Sequence, residues 1–168
     1  MKCLIVVDMQ VDFITGSLGS KDAEAIVPTV VNKVKNFDGK VVFTRDTHFD
    51  DYLQTQEGKK LPINHCIKDT EGWQVCDELK PYANTIVDKV TFGSIDLPSI
   101  IRGFGENIEE IELCGLCTDI CVISNAMILK AAFPETRIVV DQNCCAGVSR
   151  ESHNTALDAM RAVQIEIV

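Results

Sequence analysis

Several features are scarce or absent in this sequence of 168 residues, and each absence excludes a class of protein. No apolar run approaches the ~18–20 residues that a helix needs to cross a bilayer, so we expect no membrane span. Basic residues number 16 against 25 acidic ones, which gives a net charge of −9. This balance argues against nucleic acid or an anionic membrane surface as the main partner. No low-complexity segment and no internal repeat is found.

We also expect no secretory signal, and this bears on the eight cysteines. The first residues have the pattern of a strand that ends at Asp8, whereas a signal has a basic and then an apolar stretch. Three cysteines fall within residues 114–121 and two more are adjacent, at 144 and 145. Without a signal, reduced thiols in a cytoplasmic protein are favoured over a disulfide framework. A homo-oligomer is compatible with the sequence, which leaves the number of subunits open.

Apolar runs alternate with segments of helical spacing along the whole chain. The predicted strands are residues 3–7, 41–44, 85–88, 111–114, 137–140 and 163–168, and the predicted helices are 22–37, 97–104, 119–132 and 150–161. Residues 12–20 and 49–71 are predicted loops, and Pro28 is tolerable only near the beginning of its helix. This alternation predicts one α/β domain over residues 1–168: a doubly wound, Rossmann-like parallel sheet of about six strands with helices on both faces. In such sheets ligands bind at the carboxyl ends of the strands.

A cysteine-rich segment lies between the fourth predicted strand and the helix that follows it. We expect the strand to end in a sharp turn at Gly115 and the helix to begin with Thr118 or Asp119 as its N-cap. Cys121 then falls in the first helical turn, where unpaired N–H groups and the helix dipole favour a thiolate. This position is typical of a nucleophilic cysteine.

Two charged side chains follow other strands at the same edge of the predicted sheet. Asp8 ends the first strand and Lys89 follows the third. A nucleophilic cysteine needs a base and a group that stabilises the developing negative charge. Asp8 is suited to accept the thiol proton, Lys89 to hold both anions, and the N–H groups around Cys117 and Cys121 to bind an oxyanion. The pattern predicts acyl transfer in which histidine is not the base.

A second set of side chains at this edge has the composition of a metal site. Asp46 and His48 are two residues apart, so they share one side of an extended segment, and His65 follows in the long polar loop. This set suits Zn²⁺, Mn²⁺ or Fe²⁺ with open positions for water. Isolated histidines are more often structural or exposed, so the residues alone leave that alternative open.

Five segments resemble the isochorismatase-like cysteine hydrolases, and within them the nicotinamidase/pyrazinamidase family. They span nearly the whole chain: residues 7–13 with 16–18, 44–48, 65–66, 89–94 and 114–122. The last resembles the signature G-x-x-T-D-x-C-V. The resemblance implies that family's fold and the cleavage of nicotinamide to nicotinate and ammonia through a thioester on Cys121, with Asp8 and Lys89 completing a triad. It also implies a cis peptide before Cys117, whose N–H then joins that of Cys121 in an oxyanion hole.

The same resemblance implies a divalent metal ion that binds the pyridine nitrogen of the substrate. The implied ligands are Asp46, His48 and His65, with Glu57 from the intervening loop as a candidate addition. Family members usually have an aromatic residue and prolines before the second histidine, whereas residues 61–64 are Leu-Pro-Ile-Asn. Phe13 is therefore the one obvious ring-stacking residue for the substrate. The departure leaves open whether another small amide, such as a carbamoyl compound, is the substrate.

Other interpretations of the cysteines are kept as alternatives. Cys114, Cys117 and Cys121, with the adjacent pair, have the composition of a thiolate metal or iron–sulfur site, although the spacing is unusual. A Cys-x-x-Cys redox motif lacks the aspartate and lysine partners found here. Cys114 and the remaining cysteines are assigned to the core, and His153, in a predicted surface helix, is assigned no role. A non-catalytic binding protein is disfavoured because Asp8, Lys89 and Cys121 are all present.

Overall fold

The computed structural model describes residues 1–105 and 107–168. Its strands are β1 (Lys2–Val7), β2 (Lys40–Asp46), β3 (Ile86–Lys89), β4 (Glu110–Leu116), β5 (Arg137–Ala146) and β6 (Glu166–Ile167). Its α-helices are α1 (Val11–Ile14), α2 (Lys21–Asn36), α3 (Gln56–Lys60), α4 (Leu97–Arg102), α5 (Ile123–Ala132) and α6 (Arg150–Ala162). Two 3₁₀ turns (Tyr52–Gln54 and Lys80–Tyr82) and one π-helical turn (Thr118–Val122) complete the regular structure. None of these helices is both long enough and apolar enough to cross a membrane.

The strands form one parallel sheet in the order β3-β2-β1-β4-β5-β6. Residues 3–7 of β1 are completely buried, which explains why this central strand has a continuous apolar sequence. The chain builds β2 and β3 on one side of β1 and then crosses to build β4 on the other side. The predicted α/β fold with a parallel sheet is confirmed. Its topological switch point lies between β1 and β4, where ligands bind in such sheets.

Helix α2 packs on β4 and β5 through one apolar face. The Ser20 side chain caps its start by accepting a hydrogen bond from the N–H of Ala23. Pro28 is the eighth residue of this helix, so the expectation that proline is tolerable only near its beginning is wrong. Burial of the neighbouring Val27 and Val30 against the sheet offsets the backbone hydrogen bond that proline cannot donate.

Two predicted loops contain short helices. Helix α1 overlaps residues 12–20 and begins one residue before them. Helix α3 lies within residues 49–71, and the Thr55 side chain caps its start by accepting a hydrogen bond from the N–H of Gly58. A Cβ atom on Gly58 would lie 2.0 Å from the carbonyl oxygen of Tyr52, so only glycine allows α3 to pack this closely on the preceding 3₁₀ turn. This packing places Glu57 beside the carboxyl end of β2.

The predicted sharp turn at Gly115 is wrong, because β4 continues to Leu116. Gly115 has φ +114°, and a Cβ atom there would lie 2.1 Å from the carbonyl oxygen of Val7 on β1. Glycine is required by this close approach between strands. The predicted N-cap is also wrong: Cys117 precedes the π-helical turn, and no side chain caps it within the described ranges.

Candidate active site

Three chemically complementary side chains meet at the carboxyl edge of the sheet. Asp8 directly follows β1, Lys89 ends β3, and Cys121 lies in the π-helical turn after β4. The Lys89 ammonium nitrogen is 2.7 Å from Asp8 Oδ2 and 3.5 Å from Cys121 Sγ. Asp8 has no solvent exposure, and Lys89 and Cys121 are each 4% exposed. The structure therefore brings together a buried carboxylate, ammonium and thiol from three separate strand ends.

Thr44 on β2 orients the carboxylate of Asp8. Its hydroxyl donates a hydrogen bond of 2.6 Å to Asp8 Oδ1, and Oδ2 is left facing Lys89. Burial raises the pKa of Asp8, and although Lys89 and Thr44 act in the opposite direction, the pKa stays above that of a free aspartate. The carboxylate is thus a stronger base than one in water.

The thiol of Cys121 keeps its proton in the resting site. Burial and the neighbouring charge of Asp8 raise its pKa well above that of a free cysteine, while Lys89 acts against them. The N–H groups and dipole at the start of the helix do not offset the effect of burial on the pKa of Cys121. A base must therefore remove the proton before this sulfur becomes a nucleophile, and the carboxylate of Asp8 is a candidate for that base.

Four side chains beside Lys89 form a compact group of metal-ligating atoms. Asp46 Oδ2 lies 2.9 Å from His48 Nε2 and 3.5 Å from His65 Nε2. Glu57 Oε1 lies 3.6 Å from the first and 3.8 Å from the second of these imidazole nitrogens. Two atoms each bound about 2.1 Å from one ion lie about 3.0–3.4 Å apart at coordination angles between 90° and the tetrahedral value. The four residues therefore fit one divalent ion with little adjustment.

Surrounding groups hold these ligands in place. His65 Nδ1 lies 2.8 Å from the carbonyl oxygen of Ile63, which assigns the ring proton to Nδ1 and leaves Nε2 free to bind a metal. The buried Gln10 side chain accepts a hydrogen bond from the N–H of Asp46 and donates one to its carbonyl oxygen. Sequence reasoning missed Gln10, because its role depends on a partner 36 residues away.

Asp46 connects the metal-ligating group to the cysteine site. Its Oδ2 faces the histidines and its Oδ1 lies 3.3 Å from the ammonium of Lys89. Burial alone would raise the pKa of Asp46, but His48, His65 and Lys89 together lower it. Asp46 is thus ionised at neutral pH, as a metal ligand must be.

A cavity of about 480 Å³ lies next to Cys121 and reaches the metal-ligating group. Its lining includes Phe13 and Phe92, and the Phe13 ring centroid is 5.6 Å from that of His65. Phe92 was not predicted as a site residue, although it falls within a segment that carries the family resemblance. A larger and more open groove of about 870 Å³ along α2 is lined by none of the candidate catalytic or metal-ligating side chains.

The backbone around Cys117 completes the wall of the cavity. The peptide between Leu116 and Cys117 is cis, and Leu116, Cys117 and Cys121 all line the cavity. Cys117 is the N-cap of the π-helical turn, and the N–H groups at a helix start have no acceptor within the helix. Such groups are suited to bind an anion in the cavity.

The remaining cysteines do not form a site. Cys114 is completely buried, and burial raises its pKa well above the ordinary value. Over residues 1–105 and 107–168, the one group of three or more metal-ligating side chains is Asp46, His48, Glu57 and His65, which includes no cysteine. The thiolate metal site therefore has no structural support.

A family model described as the isochorismatase domain matches residues 2–168. The chain belongs to the isochorismatase family. It is 32% identical over 174 residues to an uncharacterized isochorismatase family protein of Bacillus subtilis, with 93% of this chain and 92% of that protein covered. It is 27% identical over 189 residues to the nicotinamidase/pyrazinamidase of Mycobacterium tuberculosis, with 100% and 98% covered.

Solved structures agree with this assignment. The crystal structure of the pyrazinamidase of Pyrococcus horikoshii in complex with zinc matches with a TM-score of 0.86 and 28% identity. The match covers 99% of this chain and 98% of that one. Together with the family assignment, these relatives identify the chain as a hydrolase acting on amide C–N bonds.

Proposed function

We propose that this hydrolase is a nicotinamidase, which cleaves nicotinamide to nicotinate and ammonia. The observation that carries the proposal is that Cys121, which lies beside Asp8 and Lys89, lines the same cavity as members of the metal-ligating group. Relatives named nicotinamidase/pyrazinamidase and pyrazinamidase support a heteroaromatic amide as the substrate.

The first half of the reaction forms a thioester. Asp8 takes the proton of the Cys121 thiol as the sulfur attacks the amide carbonyl carbon. The charge that develops on the carbonyl oxygen is stabilised by the N–H groups of Cys117 and Cys121. The C–N bond then breaks, and Asp8 returns its proton to the leaving nitrogen, which departs as ammonia.

The second half hydrolyses the thioester with the same base. Asp8 accepts a proton from water as the water oxygen bonds to the acyl carbon, and the C–S bond breaks to release the acid. Cys121 regains its proton. Lys89 stays protonated throughout: burial alone would lower its pKa, but Asp8, Cys121 and Asp46 raise it.

Asp46, His48, Glu57 and His65 would hold the divalent ion, whose identity as Zn²⁺, Mn²⁺ or Fe²⁺ is open. When bound, the ion supplies a Lewis acid for the ring nitrogen of the substrate. Phe13 and Phe92 supply ring surfaces against which a flat substrate packs. These rings favour an aromatic amide over an aliphatic carbamoyl compound.

Ammonia release from nicotinamide, pyrazinamide and an aliphatic carbamoyl compound, with each metal added in turn, tests the substrate. We expect turnover of the two aromatic amides and a loss of about 10³-fold or more in Cys121→Ser. Cys144→Ser is the matched control and should keep wild-type turnover, because Cys144 lies outside this cavity. Turnover of the carbamoyl compound alone would show that the substrate is a carbamoyl compound and not nicotinamide. The absence of turnover with every amide would overturn the enzyme assignment.

Metal analysis tests the ligand set separately. We expect the double variant His48→Ala/His65→Ala to lose the bound ion, because two of four ligands are removed. Cys114→Ser is the control and should keep it. Unchanged metal content in the double variant would disprove the ligand assignment, and metal loss in Cys114→Ser would favour a thiolate site instead.

A further inference from the structure

His153 on α6 contacts the turn that carries the nucleophile. Its Nδ1 lies 2.7 Å from the hydroxyl of Thr118, which has no solvent exposure. Thr118 follows Cys117 directly and begins the π-helical turn that contains Cys121. His153, to which the sequence assigned no role, is thus in contact with a residue 35 positions away in the chain.

The surrounding packing leaves little freedom for this contact. A Cβ atom on Gly147 would lie 2.8 Å from His153 Cβ and 3.0 Å from Asp119 Oδ1, so α6 and the turn approach closely. The N–H of Val148 donates a hydrogen bond of 3.1 Å to the same carboxylate oxygen. Two bonds thus attach the segment leading into α6, and α6 itself, to successive residues of the turn.

The neutral form of the His153 ring is favoured in this setting. Burial lowers its pKa, and the charge of Asp119 does not offset this. The Thr118 hydroxyl donates to Nδ1 in one tautomer of the neutral imidazole and accepts from it in the other, so this hydrogen bond forms in both. A bond of this kind orients Thr118 without adding charge near the developing oxyanion.

We propose that His153 is a positioning residue: through Thr118 it holds the backbone of the π-helical turn so that the N–H groups of Cys117 and Cys121 face the oxyanion. The inference rests on the proposed role of this turn in binding the oxyanion. His153 is absent from the lining of the cavity, so it acts through Thr118 and not on the substrate itself.

Steady-state kinetics of four variants test the inference. We expect His153→Ala to lower kcat about tenfold with little change in KM, because displaced donors stabilise the transition state less well. Thr118→Val should show the same loss, and the double variant no further loss, because both changes remove one bond. His153→Asn should restore most of kcat, since its amide places a polar atom near the position of Nδ1. The exposed neighbour Asn154→Ala is the matched control and should equal wild type.

A second measurement does not depend on turnover. Pyridine-3-carbaldehyde adds to Cys121 as a hemithioacetal whose oxygen occupies the oxyanion position, and this protects the thiol from alkylation by iodoacetamide. We expect protection in His153→Ala to need about tenfold more aldehyde, whereas the alkylation rate without aldehyde stays at the wild-type value. Alkylation requires Asp8 and Cys121 but no oxyanion donor, so an unchanged rate excludes a general collapse of the site.

The two measurements separate failure of this inference from failure of the proposed function. If wild type releases no ammonia from nicotinamide, the proposed function is wrong, and the protection assay still tests His153. If wild type is active but His153→Ala matches it in both kcat and protection, the positioning role is wrong and the proposed function stands.

Discussion

Two effects act in opposite directions on the charged form of Asp8. The ammonium of Lys89, 2.7 Å away, stabilises the carboxylate, whereas complete burial destabilises it. The result is a carboxylate whose pKa lies above that of a free aspartate. Such a carboxylate is a better proton acceptor than one in water, which suits the removal of a proton from a thiol whose own pKa is raised.

This balance predicts how activity depends on pH. Activity requires the Asp8 carboxylate, so kcat/KM falls as pH decreases through the apparent pKa of the coupled site, which lies above the ordinary aspartate value of about 3.9. Thr44→Val removes the hydroxyl that favours the ionised form, so we expect the acid limb to move to higher pH. A pH profile of kcat/KM for both proteins measures this. An acid limb that moves to lower pH, or does not move, would contradict the assignment of Asp8 as the base.

At the scale of elements, the junction between β4 and the π-helical turn sets the position of Cys121, the proposed nucleophile. Gly115 lets β4 lie against the carbonyl of Val7, one residue before the catalytic candidate Asp8. One strand contact therefore fixes the spacing between the base and the turn that carries Cys121. This spacing is possible because Gly115 has no side chain.

A methyl group at Gly115 should disturb both stability and activity. We expect Gly115→Ala to lower the free energy of unfolding by about 2–3 kcal/mol, because the Cβ atom meets backbone at 2.1 Å and φ is +114°. Urea unfolding measures this, and Gly103→Ala is the matched control. Gly103 has φ −63° at the end of α4, so its substitution should change stability by less than about 1 kcal/mol. Equal stabilities of the two variants would show that the close approach is not a constraint.

At the scale of the whole molecule, a partly buried ion group joins α2 to the sheet. Lys33 on α2 forms ion pairs with Glu112 on β4 and Asp141 on β5, and all three side chains are less than 20% exposed. Burial alone would raise the pKa of Asp141, but Lys33 lowers it. Burial alone would lower the pKa of Lys33, but the two carboxylates raise it.

These directions predict how global stability changes with pH. A lowered aspartate pKa contributes stability above the unfolded value of about 3.9, and this contribution is lost as pH falls through the folded value. We expect Lys33→Met to lower the free energy of unfolding by about 2 kcal/mol at pH 7, because two partly buried carboxylates lose their partner. The difference from wild type should shrink near pH 3.

Urea unfolding of both proteins at the two pH values measures this effect. Lys35→Met, an exposed lysine on the same helix, is the control and should stay within about 0.5 kcal/mol of wild type. A Lys33→Met difference that is the same at pH 3 and pH 7 would show that it does not come from the carboxylates. We also expect one cooperative transition in each case, because a single sheet organises the core in the part of the chain that the structure describes.

The sequence determined the fold class and the chemistry at the strand ends. Continuous apolar runs such as residues 3–7 mark strands buried on both faces, and polar residues directly after them, such as Asp8, fall at one edge because parallel strands all end there. The candidate site residues Lys89 and Cys121 are predicted by the same rule, and the structure brings them together with Asp8. Local pattern suffices for these residues because their positions follow from strand direction alone.

Only the tertiary structure decided the contacts that hold these residues in place. Gln10 with Asp46 and His153 with Thr118 pair across 36 and 35 residues, and no local pattern indicates either pair. The sequence also predicted a turn at Gly115, where the structure has a close contact with a neighbouring strand. A glycine required by such a contact looks the same in sequence as one required by a bend. The physical reason is the same for Gln10, His153 and Gly115: each residue contacts a partner that is distant in the chain and becomes adjacent only after folding.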